Sequence, residues 1–346
     1  MNIKLLLAST LVLASFSLFS CSDDEHYIEP PIDDSQMILK GKEGNDSGAN
    51  MVYVNFEKNT QYPINRRSWH LGFYCGEEFR VTLNQSLSRA YSTKKTDFAS
   101  VSVEDAEKAP NLAAGMMGFG DLTDVVLCDA PDHDLSKTVF GNIESDYNKS
   151  EVFLVATEEM PDRSTWFKVK VTKGNNGYKV EYGKVNDQTP ASVEFAKDAN
   201  KTFICFSLSS GKTVEVPDEW DIMWSSAMAY NTMPNGKVIY GPASDVITSN
   251  NYNGIETAIV NVEEIGTYDD FTREDLNSIE FHKEADLIGT TWRTAPMPGA
   301  TPGPRFDQFY VLKDAKGNYY KFAFLSFCEE DGGERGLPEL IFTPIE

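Results

Sequence analysis

The sequence predicts a mainly β protein: two similar antiparallel domains, each a pair of packed sheets, with one or two short helices. Three observations carry this. Most of the chain beyond residue 50 alternates apolar and polar residues over short runs rich in β-branched and aromatic side chains, as in Val52 to Phe56, Phe79 to Leu83, Trp166 to Thr172, Tyr178 to Tyr182, Phe203 to Leu208 and Phe309 to Lys313. Lys173-Gly174-Asn175-Asn176-Gly177 and Asp314-Ala315-Lys316-Gly317-Asn318 each separate two such runs, as hairpin loops do. Finally, one unit is written twice. Ser68-Trp69-His70-Leu71-Gly72-Phe73 leads to Trp166-Phe167-Lys168, and Glu219-Trp220-Asp221-Ile222-Met223-Trp224 leads to Tyr319-Tyr320-Lys321. Trp69 to Lys168 is 99 positions and Trp220 to Lys321 is 101, which points to duplication of a unit too long for a solenoid repeat. The plainer reading is two ordinary hairpins that begin at Trp.

In chain order, residues 1–20 form a secretory signal: Lys4 precedes an apolar run from Leu5 to Leu13 that is too short to span a bilayer. The run closes on Leu18-Phe19-Ser20-Cys21, which resembles a bacterial lipoprotein lipobox, with Cys21 as the acylated first mature residue and an outer-membrane anchor as the consequence. Ser22-Asp23-Asp24-Glu25 resembles an acidic export tag and reads equally as a solvated tether. Residues 21–48, with Pro30-Pro31 and Asp33-Asp34, read as a flexible acidic linker. Residues 49–186 and 187–346 are the two expected domains. Within them, Val103 to Lys108 suggests a short helix, and Thr272-Arg273-Glu274-Asp275 suggests a capped one running through Leu276, Ile279, Phe281 and Leu287.

Composition narrows the partners. The formal charge is −22, and loss of residues 1–20 removes only Lys4, leaving −23. No basic stripe offsets it, so nucleic acid and anionic bilayers are repelled. Cys75, Cys128, Cys205 and Cys328 lack CxxC spacing; one bridge per domain and four buried thiols are both open readings.

Enzyme chemistry has little purchase. His26, His70, His133 and His282 are the only histidines, and no nucleophile elbow, phosphate loop, dinucleotide fingerprint or His-Glu-x-x-His accompanies them. Carboxylates are plentiful enough for a glycosidase pair, which abundance alone does not establish. Cys128-Asp129-Ala130-Pro131-Asp132-His133 carries three donor types suited to zinc or copper, against a polar-loop reading. Asp269, Asp270 and Asp275 suggest calcium but lack EF-hand spacing.

Phe206-Ser207-Leu208-Ser209-Ser210-Gly211-Lys212 before Trp220-Asp221-Ile222, then Tyr310-Val311-Leu312-Lys313-Asp314 with Gly317-Asn318, resemble the HmuY-like family of haem-binding surface lipoproteins. In the first half, Trp69, Phe73 and Phe79-Arg80-Val81-Thr82-Leu83-Asn84 match the same opening block. The resemblance implies a β fold that holds haem through His or Met ligands and passes it to an outer-membrane receptor. One family ligand lies five residues after a Trp in a Gly- and Pro-rich loop. Here Trp292 leads to Met297 in Pro296-Met297-Pro298-Gly299, making Met297 the candidate iron ligand. The second ligand does not carry over, since Gly254 to Asn277 holds neither His nor Met. Met116 and Met117, His133, His282, and further upstream Met228 and Met233, stand as alternatives, with Trp292 a further haem-binding candidate, and haem at the junction of the two halves is one arrangement they allow. The competing expectation is another flat apolar ligand, or a surface glycan- or protein-binding lipoprotein in which Trp292 lines a shallow groove.

Overall fold

The computed structural model describes residues 35–113, 127–159, 162–232, 236–295 and 299–346. In chain order the strands are β1 (Gln36–Ile38), β2 (Asn50–Asn55), β3 (Thr60–Asn65), β4 (Leu71–Tyr74), β5 (Val81–Leu83), β6 (Arg89–Ser92), β7 (Val152–Ala156), β8 (Phe167–Gly174), β9 (Gly177–Lys184) and β10 (Ala191–Ala196). They continue with β11 (Phe203–Ser207), β12 (Lys212–Val214), β13 (Ile222–Thr232), β14 (Val238–Ser249), β15 (Glu256–Asn261), β16 (Arg293–Thr294), β17 (Gly303–Pro304), β18 (Gln308–Lys313), β19 (Tyr319–Ser326) and β20 (Glu339–Ile345). Both legible turns are hairpin loops, between β8 and β9 and between β18 and β19.

The strands form four large antiparallel sheets. Two are five-stranded, in the orders β10-β9-β8-β7-β6 and β1-β20-β19-β18-β15; two are four-stranded, β12-β11-β4-β5 and β14-β13-β2-β3. The four-stranded sheets are inner layers, because their alternate residues feed two different cores. Val52, Val54, Ile222 and Trp224 pack on Tyr310, Leu312, Phe322 and Phe342 of one five-stranded sheet. Leu71, Phe73, Val81 and Phe206 pack on Phe153, Val155, Phe167 and Val180 of the other. The intervening positions, Met51, Tyr53 and Met223 from one inner sheet and Phe203, Cys205 and Val214 from the other, meet each other. The result is a stack of four layers, outer, inner, inner, outer.

Strand pairing does not follow the division at 186/187. Each inner sheet joins one hairpin from either side of it, at β2·β13 and at β4·β11, and β10 adds to the sheet of β6 to β9. Residues 36–48, expected within the flexible tether, correct that reading. β1 pairs with β20, and Met37 and Leu39 are buried in the core of Tyr310, Phe322 and Phe342. The apolar alternation there is only two side chains long, too short to register against a polar background.

Corresponding positions repeat the same bonds. Lys168 Nζ donates to the carbonyls of Phe98, Val101 and Asp187, and Lys321 Nζ to those of Tyr268 and Phe271, so each lysine ties a crossover segment over the exposed face of its outer sheet. Leu208 N–H donates to His70 Nδ1 and Phe56 N–H to Asp221 Oδ2. Asn84 Nδ2 donates to the Trp69 carbonyl and Asn250 Nδ2 to that of Trp220.

The first expected helix is present as α1 (Val103–Lys108), capped by Ser102 and Asp105. The second is a correction. The Thr272–Asp275 capping box opens only a 3-10 turn, Arg273–Ser278, while a separate one-turn helix, α2 (Val262–Ile265), lies upstream. Ile279 and Phe281 pack against the outer sheet in extended backbone instead of on a helical face. No helix among the described residues is long and apolar enough to cross a membrane.

Candidate functional site

The two inner sheets do not close on each other completely. Between them lies a small, mostly apolar cleft with a free volume of about 100 Å³ that opens to solvent at its mouth. Its walls come in corresponding pairs: Trp69 and Trp220 just ahead of β4 and β13, Gly72 facing the place Met223 takes in the other sheet, Phe203 with Met51, and Cys205 with Tyr53. A side chain at Gly72 would collide with Thr82 Oγ1, 2.6 Å from where its Cβ would stand, so that strand contributes open space where its counterpart contributes a thioether. Tyr53 and Trp220 meet edge to face at 5.3 Å, as do Phe203 and Tyr252 at 4.9 Å.

His133 reaches this cleft from the 127–140 segment. Its backbone is left-handed, φ 60°, a conformation uncommon outside glycine and frequent at functional sites. Its ring stacks on Tyr252 at 5.2 Å with 6° between planes. Nδ1 is shut from solvent and has no hydrogen-bond partner. Burial pushes the imidazole down to about 4, so it is neutral at ordinary pH and keeps a lone pair for a metal. Trp69 Nε1, Thr248 Oγ1 and Asn250 Oδ1, on other lining residues, are likewise buried without a protein partner. Buried polar atoms are rarely left so, and four around one cleft indicate that it takes a ligand or water with polar edges.

The cleft's charge is sparse. Among the described residues no Lys or Arg lines it; Asp129 and Asp218 do. Asp129 is buried, accepts the N–H groups of Leu83 (2.6 Å) and Val139 (2.8 Å), and is pushed up to about 7 by desolvation. It is a structural tie between β5 and the segment that presents His133.

The family model for the HmuY protein matches residues 47–342, nearly all of the two sandwiches. The chain belongs to the HmuY family. No curated protein and no solved structure matches it. HmuY proteins are a surface-associated family linked with haem binding, and the mainly antiparallel β architecture of this member agrees with the resemblance read from its sequence.

Against the HmuY expectation, the candidate ligands fall in different places. His133 lines the cleft. His282 does not; it sits in a bridge to Thr257, exchanging both backbone hydrogen bonds with it, and its Nδ1 lies 3.9 Å from Glu284. Trp292 is core: it is 1% exposed, packs against Phe324 with ring centroids 4.2 Å apart, and gives its N–H to the Asp245 carbonyl at 2.7 Å. It therefore lines no groove. Met228 is buried in the core of Phe73, Phe153 and Phe206. Cys21, Met116, Met117, Met233 and Met297 lie outside the described residues. β16 and β17 form the short hairpin whose connection contains Met297. The zinc or copper reading of 128–133 finds its donors engaged elsewhere: Cys128 is inside the core against Arg89, and Asp129 binds backbone. Among the described residues no three His, Cys, Asp or Glu side chains gather, and all four cysteines there are free and buried. Met51 and Met223 are the lining residues sequence reading missed. Each sits in an apolar alternation that reads as ordinary core, and only the meeting of the two inner sheets places both on one cleft.

Proposed function

We propose that this HmuY-family member is a non-catalytic surface lipoprotein, anchored through Cys21, that binds haem in the cleft between its inner sheets and passes it to an outer-membrane receptor. The observation that carries the site is the buried, unpartnered Nδ1 of His133 in an aromatic-lined slot. The groups present suit the ligand: a neutral imidazole and the thioethers of Met51 and Met223 are donors haem iron accepts, and Trp69, Trp220 and Tyr252 supply faces for a flat ring. Haem brings the iron and the porphyrin; the chain supplies ligation, an apolar envelope and exclusion of water. A cleft walled by both halves also gives the duplicated plan a use, since neither half encloses the ligand by itself.

The test is a haemin titration of the chain from Ser22 onward, followed by visible absorption in oxidising and reducing buffer, with His133→Ala and Met297→Ala in parallel. A saturable, sharpened Soret band that weakens at least about tenfold in His133→Ala and persists in Met297→Ala is expected if His133 would hold the iron in this cleft. Sensitivity to Met297 alone moves the iron to the β16–β17 hairpin. A flat response in both redox states rejects haem and leaves the surface glycan- or protein-binding reading.

A further inference from the structure

We infer that a second, polar cleft contiguous with the first is a carboxylate subsite that fixes which edge of the ligand points outward. This rests on the haem reading of the apolar cleft. The two spaces share Ser86 and Ser226 in their walls, so they adjoin. Ser226 stands at the irregularity in β13 between Ser225 and Ala227, where the strand pairing shifts register and the wall opens.

The second cleft differs in kind. Arg66, Arg335, Trp224 and Ser244 are in its wall, and Arg67 and Arg293 bind its carboxylates. Four guanidinium groups thus meet three carboxylates, Asp46, Glu159 and Asp245, leaving this corner cationic in a chain of charge −22. Two donors in the wall are unused. Arg66 is 8% exposed, binds Glu159 through one terminal nitrogen, and leaves Nε–H buried without a partner; Trp224, 2% exposed, leaves its indole N–H in the same condition. Both unsatisfied groups are donors. The missing partner is therefore an acceptor, and a guanidinium Nε–H and an indole N–H in one wall each suit a carboxylate oxygen. The ligand class that fits both spaces is a flat apolar ring with carboxylates on one edge, its ring against Trp69, Trp220 and His133 and its acid edge at Arg66 and Trp224.

The experiment compares haemin with its dimethyl ester, which keeps ring and iron and removes the acid charge, against wild type, Arg66→Met and Trp224→Phe, with circular dichroism to confirm folding. Wild type should bind the acid about tenfold more tightly than the ester, the scale of one charge-assisted hydrogen bond. Arg66→Met should cancel most of that preference and leave ester affinity unchanged, and Trp224→Phe should do so in part. Equal affinity of wild type for acid and ester overturns the subsite while leaving haem binding intact. A preference untouched by both substitutions overturns its assignment to these residues. Failure of both ligands to bind wild type rejects the haem reading, and the subsite with it.

Discussion

His70 and Asp221 occupy corresponding positions and do one job with different chemistry. Each accepts the N–H that follows the hairpin strand paired beside it, from Leu208 at 3.0 Å and from Phe56 at 2.6 Å. Burial shifts them in opposite directions, His70 down to about 4 and Asp221 up to about 6. For His70 the folded value lies below that of the unfolded chain. Between about pH 6.5 and 4 the unfolded chain binds the proton more readily, so this stabilisation is complete above about 6.5 and fades as pH falls. The effect is on the order of 3 kcal/mol for a shift of this size. Denaturant unfolding of wild type and His70→Asn across that range should show wild type losing stability relative to the variant as pH drops. A constant difference rejects the assignment of a neutral buried imidazole.

Lys168 and Lys321 show how an element is held. Each lies in the middle strand of its five-stranded sheet, where a charge is costly unless its donors are satisfied. Each donates to two carbonyls of the crossover that covers the sheet's outer face, and Lys168 also to that of Asp187 beyond β9. Over the first sheet that crossover carries Phe98, Val101 and α1; over the second it carries Tyr268 and Phe271. Lys321→Met should cost about 1–3 kcal/mol, because the methionine fills the space and leaves buried carbonyls unpartnered. Hydrogen exchange should rise across residues 266–281 and stay unchanged near α1; Lys168→Met should give the reverse. Uniform loosening in either variant would mean the lysines are general core members and not local ties.

At the scale of the molecule, the exchange of hairpins is the dominant fact. β1 joins an outer sheet otherwise built from residues after 187, β10 joins one otherwise built from residues before it, and each inner sheet takes two strands from either side. We propose that the chain is a duplication whose two copies trade their opening strands, a covalent counterpart of domain swapping. Residues 186–189, between β9 and β10, are exposed and form the natural point of division. Fragments 35–186 and 187–346 expressed separately should each fail to give a cooperative unfolding transition, and together should form a one-to-one complex that does. Two independently folding fragments would reject the exchange.

Much of this fold was legible in the sequence because strand alternation and turn chemistry act over a few residues. Val52 to Phe56, the turn at 173–177 and the helix at 103–108 all appear where local pattern places them. The spacing of Trp69 and Lys168 against Trp220 and Lys321 also had a physical source, since each Trp lines the central cleft and each Lys pins a crossover. What local pattern could not contain was pairing partner. A strand's period assigns its two faces but not what each face meets, so Met37 and Leu39 read as tether, Trp292 as a ligand- or groove-lining residue, and Met51 and Met223 as core. The 3-10 turn after Thr272 shortened for the same reason, because packing on the outer sheet outweighed the helical signal of the capping box. The sequence by itself determined the strands, their hairpins and the family; tertiary structure decided which hairpins share a sheet, and thereby set His133 beside residues of both halves in one cleft. Alternation is fixed by neighbours a few bonds away, whereas the cleft exists only where two faces from distant parts of the chain meet without filling the space between them.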